Sequence, residues 1–281
     1  MQKVGVYYHP LFKTQGFVTL RGRLEDFPGA LEEVLKRPNV GMYECAPAAR
    51  DVILKVHPPH MVAMVDLEDE CRTAYESVGG VVAAMEALAK GKLDRAFCFT
   101  GTGGHHAGSL EFYDTSCFNH VVIALTHVRE VTAIRRFAII DTDALHAGGT
   151  LQVLGEDQEV LHLCFCRSDY RSWDGLAVEI NVQPHQGPGD PGQYLEKLQE
   201  HLPLVQEFQP DLLVWYCGLN SHKDDYASLG LTAGDYLAAC DLLVSLAKDL
   251  GKPLLVVLGG GTLRQVAREV LPGIIQRLAE D

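Results

Sequence analysis

The sequence has no apolar run approaching the ~18 residues that a membrane-spanning helix needs, and no charged stretch leading into an apolar core at its start. A soluble, cytoplasmic protein is therefore expected, with no membrane as partner. Basic residues are scarce too. Lys and Arg number 24 against 37 Asp and Glu, for a formal charge of −13. Phosphate contacts demand clustered cations, so direct nucleic-acid binding is not expected. The acidity reads as a solvated surface before it reads as recruitment of a basic ligand. No internal repeat or low-complexity segment is present. A disulfide framework is missing as well: Cys45, Cys71, Cys98, Cys117, Cys164, Cys166, Cys217 and Cys240 are spread through a long chain, mostly inside apolar stretches such as Phe97-Cys98-Phe99. Reduced, buried thiols are expected at all eight.

What the chain does have is bulk and alternation. Its 281 residues, 47% of them apolar, suit one large domain spanning 1–281. Short apolar runs alternate with segments of helical period, as in a parallel sheet with helices on both faces. Strands are expected at Val4 to Tyr8, Arg95 to Thr100, Arg136 to Asp141, Val160 to Phe165, Val178 to Val182, Asp211 to Tyr216 and Pro253 to Leu258. Helices are expected near Leu24 to Arg37, Cys71 to Lys90, Phe118 to Arg129, Gly192 to Phe208, Ala233 to Leu250 and Leu263 to Leu278. Pro184 to Gly192 reads as a surface loop and Tyr8 to Arg23 as an irregular one. Ligands of an open α/β sheet sit beyond the carboxyl ends of its strands, so the loops that follow the strands are the places to look.

Four such loops carry chemistry. After Thr100 comes GTGGHHAG, with His105 and His106 adjacent. An imidazole pair can act as general base and electrostatic partner near neutral pH, or be structural. After Asp141 comes DTDALHAGGT, whose Asp141 and Asp143 could hold a cation or cap the following turn. The third loop is CGLNSHKDDYASLGLT and the fourth LGGGTLRQVAR. A Gly-rich turn alone is weak evidence, but four loops in this order are specific.

On these motifs the chain resembles the histone deacetylase and acetylpolyamine amidohydrolase superfamily, from about Tyr8 to about Leu278. The resemblance implies a single-domain arginase/deacetylase-like α/β fold, with a mostly parallel central sheet of roughly eight strands. It also implies amide hydrolysis at a zinc ion held by the second Asp and first His of a D-x-D-x-H-H-G loop and by the Asp of a G-F-D loop. Placed without gaps, Asp143 keeps its ligand position, Leu145 falls on the zinc-binding His, and Asn220 falls on the third ligand. His146 matches the second His. Gly261 occupies the position of the tyrosine that donates to the oxyanion, and losing one such donor commonly costs ~100-fold or more in rate. Asp114-Thr115-Ser116 replaces a stretch of the aromatic pocket wall.

Catalytic zinc normally has three protein ligands and an open position, so ordinary zinc-dependent deacetylation is expected to be weak or absent. The expected product is a pseudoenzyme whose pocket takes an acyl-amine-like or other small molecule. The alternative is an amide hydrolase with a rebuilt centre, using His105, His106 and Asp143, with Asp141 supporting the histidines. The resemblance further implies a structural monovalent cation, potassium, near Asp141, Asp143 and Cys164. Cys164 and Cys166 lie two apart on a strand and share a face, as core fillers or as ligands to a relocated metal. Association into a homo-oligomer stays open.

Overall fold

The protein is described by a computed structural model covering residues 2–183 and 192–280. The Pro- and Gly-rich loop expected from Pro184 lies outside these residues as far as 191. Nine strands form a single sheet: β1 (Val4–Tyr8), β2 (Val40–Glu44), β3 (Arg95–Cys98), β4 (Phe137–Asp141), β5 (Val160–Cys166), β6 (Tyr170–Arg171), β7 (Ala177–Asn181), β8 (Leu212–Cys217) and β9 (Leu254–Leu258). Their order is β2-β1-β3-β9-β8-β4-β5-β7-β6, parallel throughout except for β6 against β7. Every residue of β3, β4, β5, β8 and β9 is buried. Alternate residues point to opposite faces, so both faces are covered by helices, and the strands read as unbroken apolar runs for that reason.

The main helices span Ala74–Ala89, His120–Val131, Gly192–Phe208, Ala233–Leu250 and Arg264–Leu278, each within a few residues of its expected bounds. Gly79 matters to the first: a Cβ there would lie 1.8 Å from the Ala46 carbonyl oxygen, so only glycine lets the helix rest against the chain leaving β2. The helix expected over Leu24 to Arg37 is not continuous. Pro28, which lacks an N–H, and Gly29 interrupt it, leaving short turns at Gly29–Leu31 and Glu32–Leu35. The segment Tyr8 to Arg23, expected to be irregular, contains a turn at Pro10–Lys13 and a helix at Val18–Arg23.

One expectation about cysteine needs correcting. Cys71 and Cys117 form a disulfide, their Cα atoms 6.0 Å apart. They stand just before the helices Ala74–Ala89 and His120–Val131, and the packing of those two helices brings them together. The other six cysteines are free and buried. Among the described residues, no helix is long and apolar enough to cross a membrane.

Candidate active site

Strands β3, β9, β8 and β4 are consecutive in the sheet and run the same way, so the four motif loops leave from one edge and converge. His105 is buried there. Its Nδ1 lies 2.8 Å from Asp141 Oδ2 and its Nε2 3.7 Å from Asp143 Oδ1. The ring stacks on Tyr216 with centroids 4.7 Å apart and meets His106 at 4.1 Å. The backbone N–H of Gly104 donates to the Tyr216 hydroxyl, fixing that platform. Thus His105, His106, Asp141 and Asp143 lie side by side. His146 is not part of the group: it is half exposed, and its Nδ1 pairs with Glu179 at 2.9 Å.

The two adjacent histidines are pushed apart electrostatically. Burial opposes the charge on His105 most strongly, but the attraction of Asp141 and Asp143 together outweighs it and lifts the group to about 9. Burial and the neighbouring His105 push His106 down to about 4. At neutral pH a cationic imidazole therefore stands beside a neutral one. A group raised from about 6.5 to about 9 stabilises the fold fully below the lower value and loses that contribution as pH rises through the upper. Denaturant unfolding is expected to show stability falling by up to about 3 kcal/mol between pH 6.5 and 9.5. His105→Gln should flatten that slope, and an unchanged slope in the variant would assign it to other groups.

Asp143, expected to keep a zinc-ligand position, already accepts three hydrogen bonds. Oδ1 accepts from the Asn220 side-chain amide at 2.6 Å and from the Leu145 N–H at 3.1 Å, while Oδ2 accepts from the Gly260 N–H at 2.7 Å. The Ala144 N–H donates to Asn220 Oδ1, which turns the Asn220 amide toward Asp143. A donor therefore faces the carboxylate where a second ligand would be needed. Leu145 offers no donor atom. Gly261 has φ 109°, and a Cβ there would lie 2.5 Å from that of Leu219, so the backbone itself rejects a tyrosine. These residues do not fit a catalytic zinc ion at the family's position.

Behind the loop, Arg23 is wholly buried, and its Nη1 donates to the carbonyls of Gly259, Gly260 and Gly261 at 2.7, 2.9 and 3.0 Å. Sequence reasoning missed this residue, since nothing in a lone arginine before an interrupted helix marks it.

In front of the loops lies a cleft of about 750 Å³, lined by His106, Tyr113, Leu145, His146, Gln152 and Tyr226 among others. Aromatic groups therefore do border it, since Phe112, Tyr113 and Tyr226 line the cleft alongside Asp114. Tyr226 was also missed. Its hydroxyl accepts from Asn220 Nδ2 at 3.4 Å, next to the vacated ligand positions. Partial burial and Asp143 shift this largely exposed phenol upward, so it keeps its proton at neutral pH. Three further histidines have local partners: the Asn119 N–H donates to His57, His120 meets Thr102, and His127 meets Glu86.

With this geometry in view, comparison with known proteins is direct. A model of the histone deacetylase domain matches residues 61–277. This chain belongs to the histone deacetylase family. Histone deacetylase 5 of Arabidopsis thaliana is 28% identical over 228 residues, covering 74% of this chain and 34% of that protein. A probable deacetylase of Archaeoglobus fulgidus is 25% identical over 258 residues, covering 82% and 71%. The crystal structure of the HDA15 HD domain superposes with a TM-score of 0.87 over 99% of this chain and 91% of that one, at 18% identity, a likeness of fold. The chain spans about a third of the length of the plant relative.

Proposed function

We propose that this histone deacetylase-family chain no longer runs zinc-dependent deacetylation and instead binds an acyl-amine-like small molecule in the cleft beside His106. One observation carries the reading. Asp143, the one residue expected to keep a zinc-ligand position, accepts from the Asn220 amide and the Gly260 and Leu145 N–H groups, and neither Asn220 nor Leu145 sets a second anionic or imidazole donor beside it. Zinc lowers the pKa of bound water to about 7, and without it that route to a nucleophile is closed. The cleft sets Leu145, Phe112, Tyr113 and Tyr226 beside polar groups such as His106 and Gln152, so it offers both an apolar contact and hydrogen-bond partners for an acyl-amine. Potassium is a weaker part of the reading, because Asp141 already accepts from His105 and the Asp143 N–H, and Cys164 offers a thiol where a hard cation prefers oxygen.

The test is to present the purified chain with an acetyl-lysine peptide and an N-acetylated polyamine. Binding by calorimetry is expected, with no turnover that a chelator abolishes, and Leu145→Arg should weaken binding by at least about 10-fold by filling the cleft. Chelator-sensitive hydrolysis by the wild-type chain would sink the reading.

A second reading rests on the His pair. Neighbouring titratable groups driven to opposite charge states at neutral pH are the usual provision for acid-base work. In this version His106 takes a proton from water while cationic His105 stabilises the developing charge. Slow, chelator-insensitive hydrolysis that disappears in His106→Ala would favour it over simple binding.

A further inference from the structure

A second cluster of ligating side chains lies beside the first. β5 and β7 are parallel neighbours, with Cys164 opposite Glu179. Alternation along the strands therefore sets Cys164, Cys166 and Glu179 on one face. The loop leaving β4 carries His146 over that face. Donor atoms of His146, Cys166 and Glu179 all fall within 4.8 Å of one another, and His146 Nδ1 is 2.9 Å from Glu179 Oε1. Among the described residues this is the one place where three His, Cys, Asp or Glu donors gather so closely. The position of the family's zinc does not do so.

We propose that His146, Cys166 and Glu179 bind one zinc-class transition-metal ion, a site separate from the lost deacetylase centre. The ligand set is a sulfur, a nitrogen and an oxygen, which suits zinc or cobalt and not magnesium or calcium. Tetrahedral zinc with bonds of ~2.0–2.3 Å sets its ligand atoms roughly 3.3–3.6 Å apart, so the cluster closes on an ion with small side-chain movements. Thiolate and carboxylate together carry two negative charges, which a divalent ion neutralises. Burial is graded in a useful way. Cys166 is fully buried, Glu179 is partly buried, and His146 is exposed and lines the cleft. An ion therefore has a route in past His146. A His146–Glu179 ion pair alone would be an ordinary surface contact. It does not account for a thiol from a third element within reach of both.

The inference stands apart from the functional reading above, because metal bound here requires no hydrolysis. The full chain, stripped of metal by chelator under reducing conditions, is titrated with Co²⁺, and Zn²⁺ affinity is read by competition with a chromophoric chelator. One equivalent of Co²⁺ is expected to produce a thiolate-to-metal charge-transfer band. Cys166→Ser should abolish the band. Glu179→Gln, nearly isosteric and only partly buried, should weaken Zn²⁺ binding at least ~10-fold while leaving the circular dichroism of the metal-free protein unchanged. Absence of a stoichiometric band in the wild type, persistence of the band in Cys166→Ser, or unaltered Zn²⁺ affinity in Glu179→Gln would each overturn the assignment.

Discussion

Replacing Leu145 with histidine and Asn220 with aspartate together is expected to raise zinc affinity at the Asp143 position by on the order of 10³–10⁴-fold. The basis is that even residues supporting a ligand typically account for 10–100-fold each, and here two ligands themselves are restored. The measurement belongs in a Cys166→Ser background, so that the second cluster does not contribute. Asn220→Asp alone should be harmful. It swaps the amide that donates to Asp143 across 2.6 Å for a like charge. An uncompensated buried carboxylate costs about 3–5 kcal/mol, and in the double variant added zinc should recover that loss. Deacetylation should remain poor even so, because the backbone at Gly261 rejects the missing tyrosine. If the double variant bound zinc no better than the Cys166→Ser parent, the explanation given for the lost centre would be wrong.

Arg23→Met is expected to destabilise the protein by about 3–5 kcal/mol, read from denaturant midpoints. The two N–H groups of one guanidinium nitrogen are shared among three consecutive carbonyls, those of Gly259, Gly260 and Gly261. Burial lowers this group to about 10, with nearby Tyr216, Asp225, Tyr226 and Asp143 opposing the shift, so it stays charged at neutral pH. Removing it orphans the carbonyls and takes away one of the two cations near Asp143, the other being His105. Arg23→Lys keeps the charge but offers a less fitting donor geometry, and should cost less. A loss under about 1 kcal/mol for the methionine variant would show that the loop holds itself.

The fold was readable where burial is complete. LLVWYC and LLVVL, covered on both faces, leave no reading other than interior strands. Strand β2 was not readable, because Met42 and Tyr43 are partly exposed and the VGMYE run pairs on one side only. The site divides in a similar way. His105, Asp141, Asp143, Leu145 and Asn220 follow strand ends, and their substitutions could be read by position. Tyr226, Arg23 and the His146–Cys166–Glu179 cluster depend on loops folding back across several elements. No local spacing encodes that. The Cys71–Cys117 bond belongs with them, since 46 residues separate its ends and only helix packing brings them within range.

The strand order also governs when the pocket can exist during synthesis. The histidine loop leaves β3 and the aspartate loop leaves β4, yet in the sheet these strands are separated by β9 and β8, which follow both in the chain. A nascent chain that ends before Leu254 therefore holds two half-sheets with unpaired edges and a binding site in two pieces. Such intermediates expose apolar strand edges and are prone to aggregate, so protection by chaperones should matter most in the interval before β9 is complete.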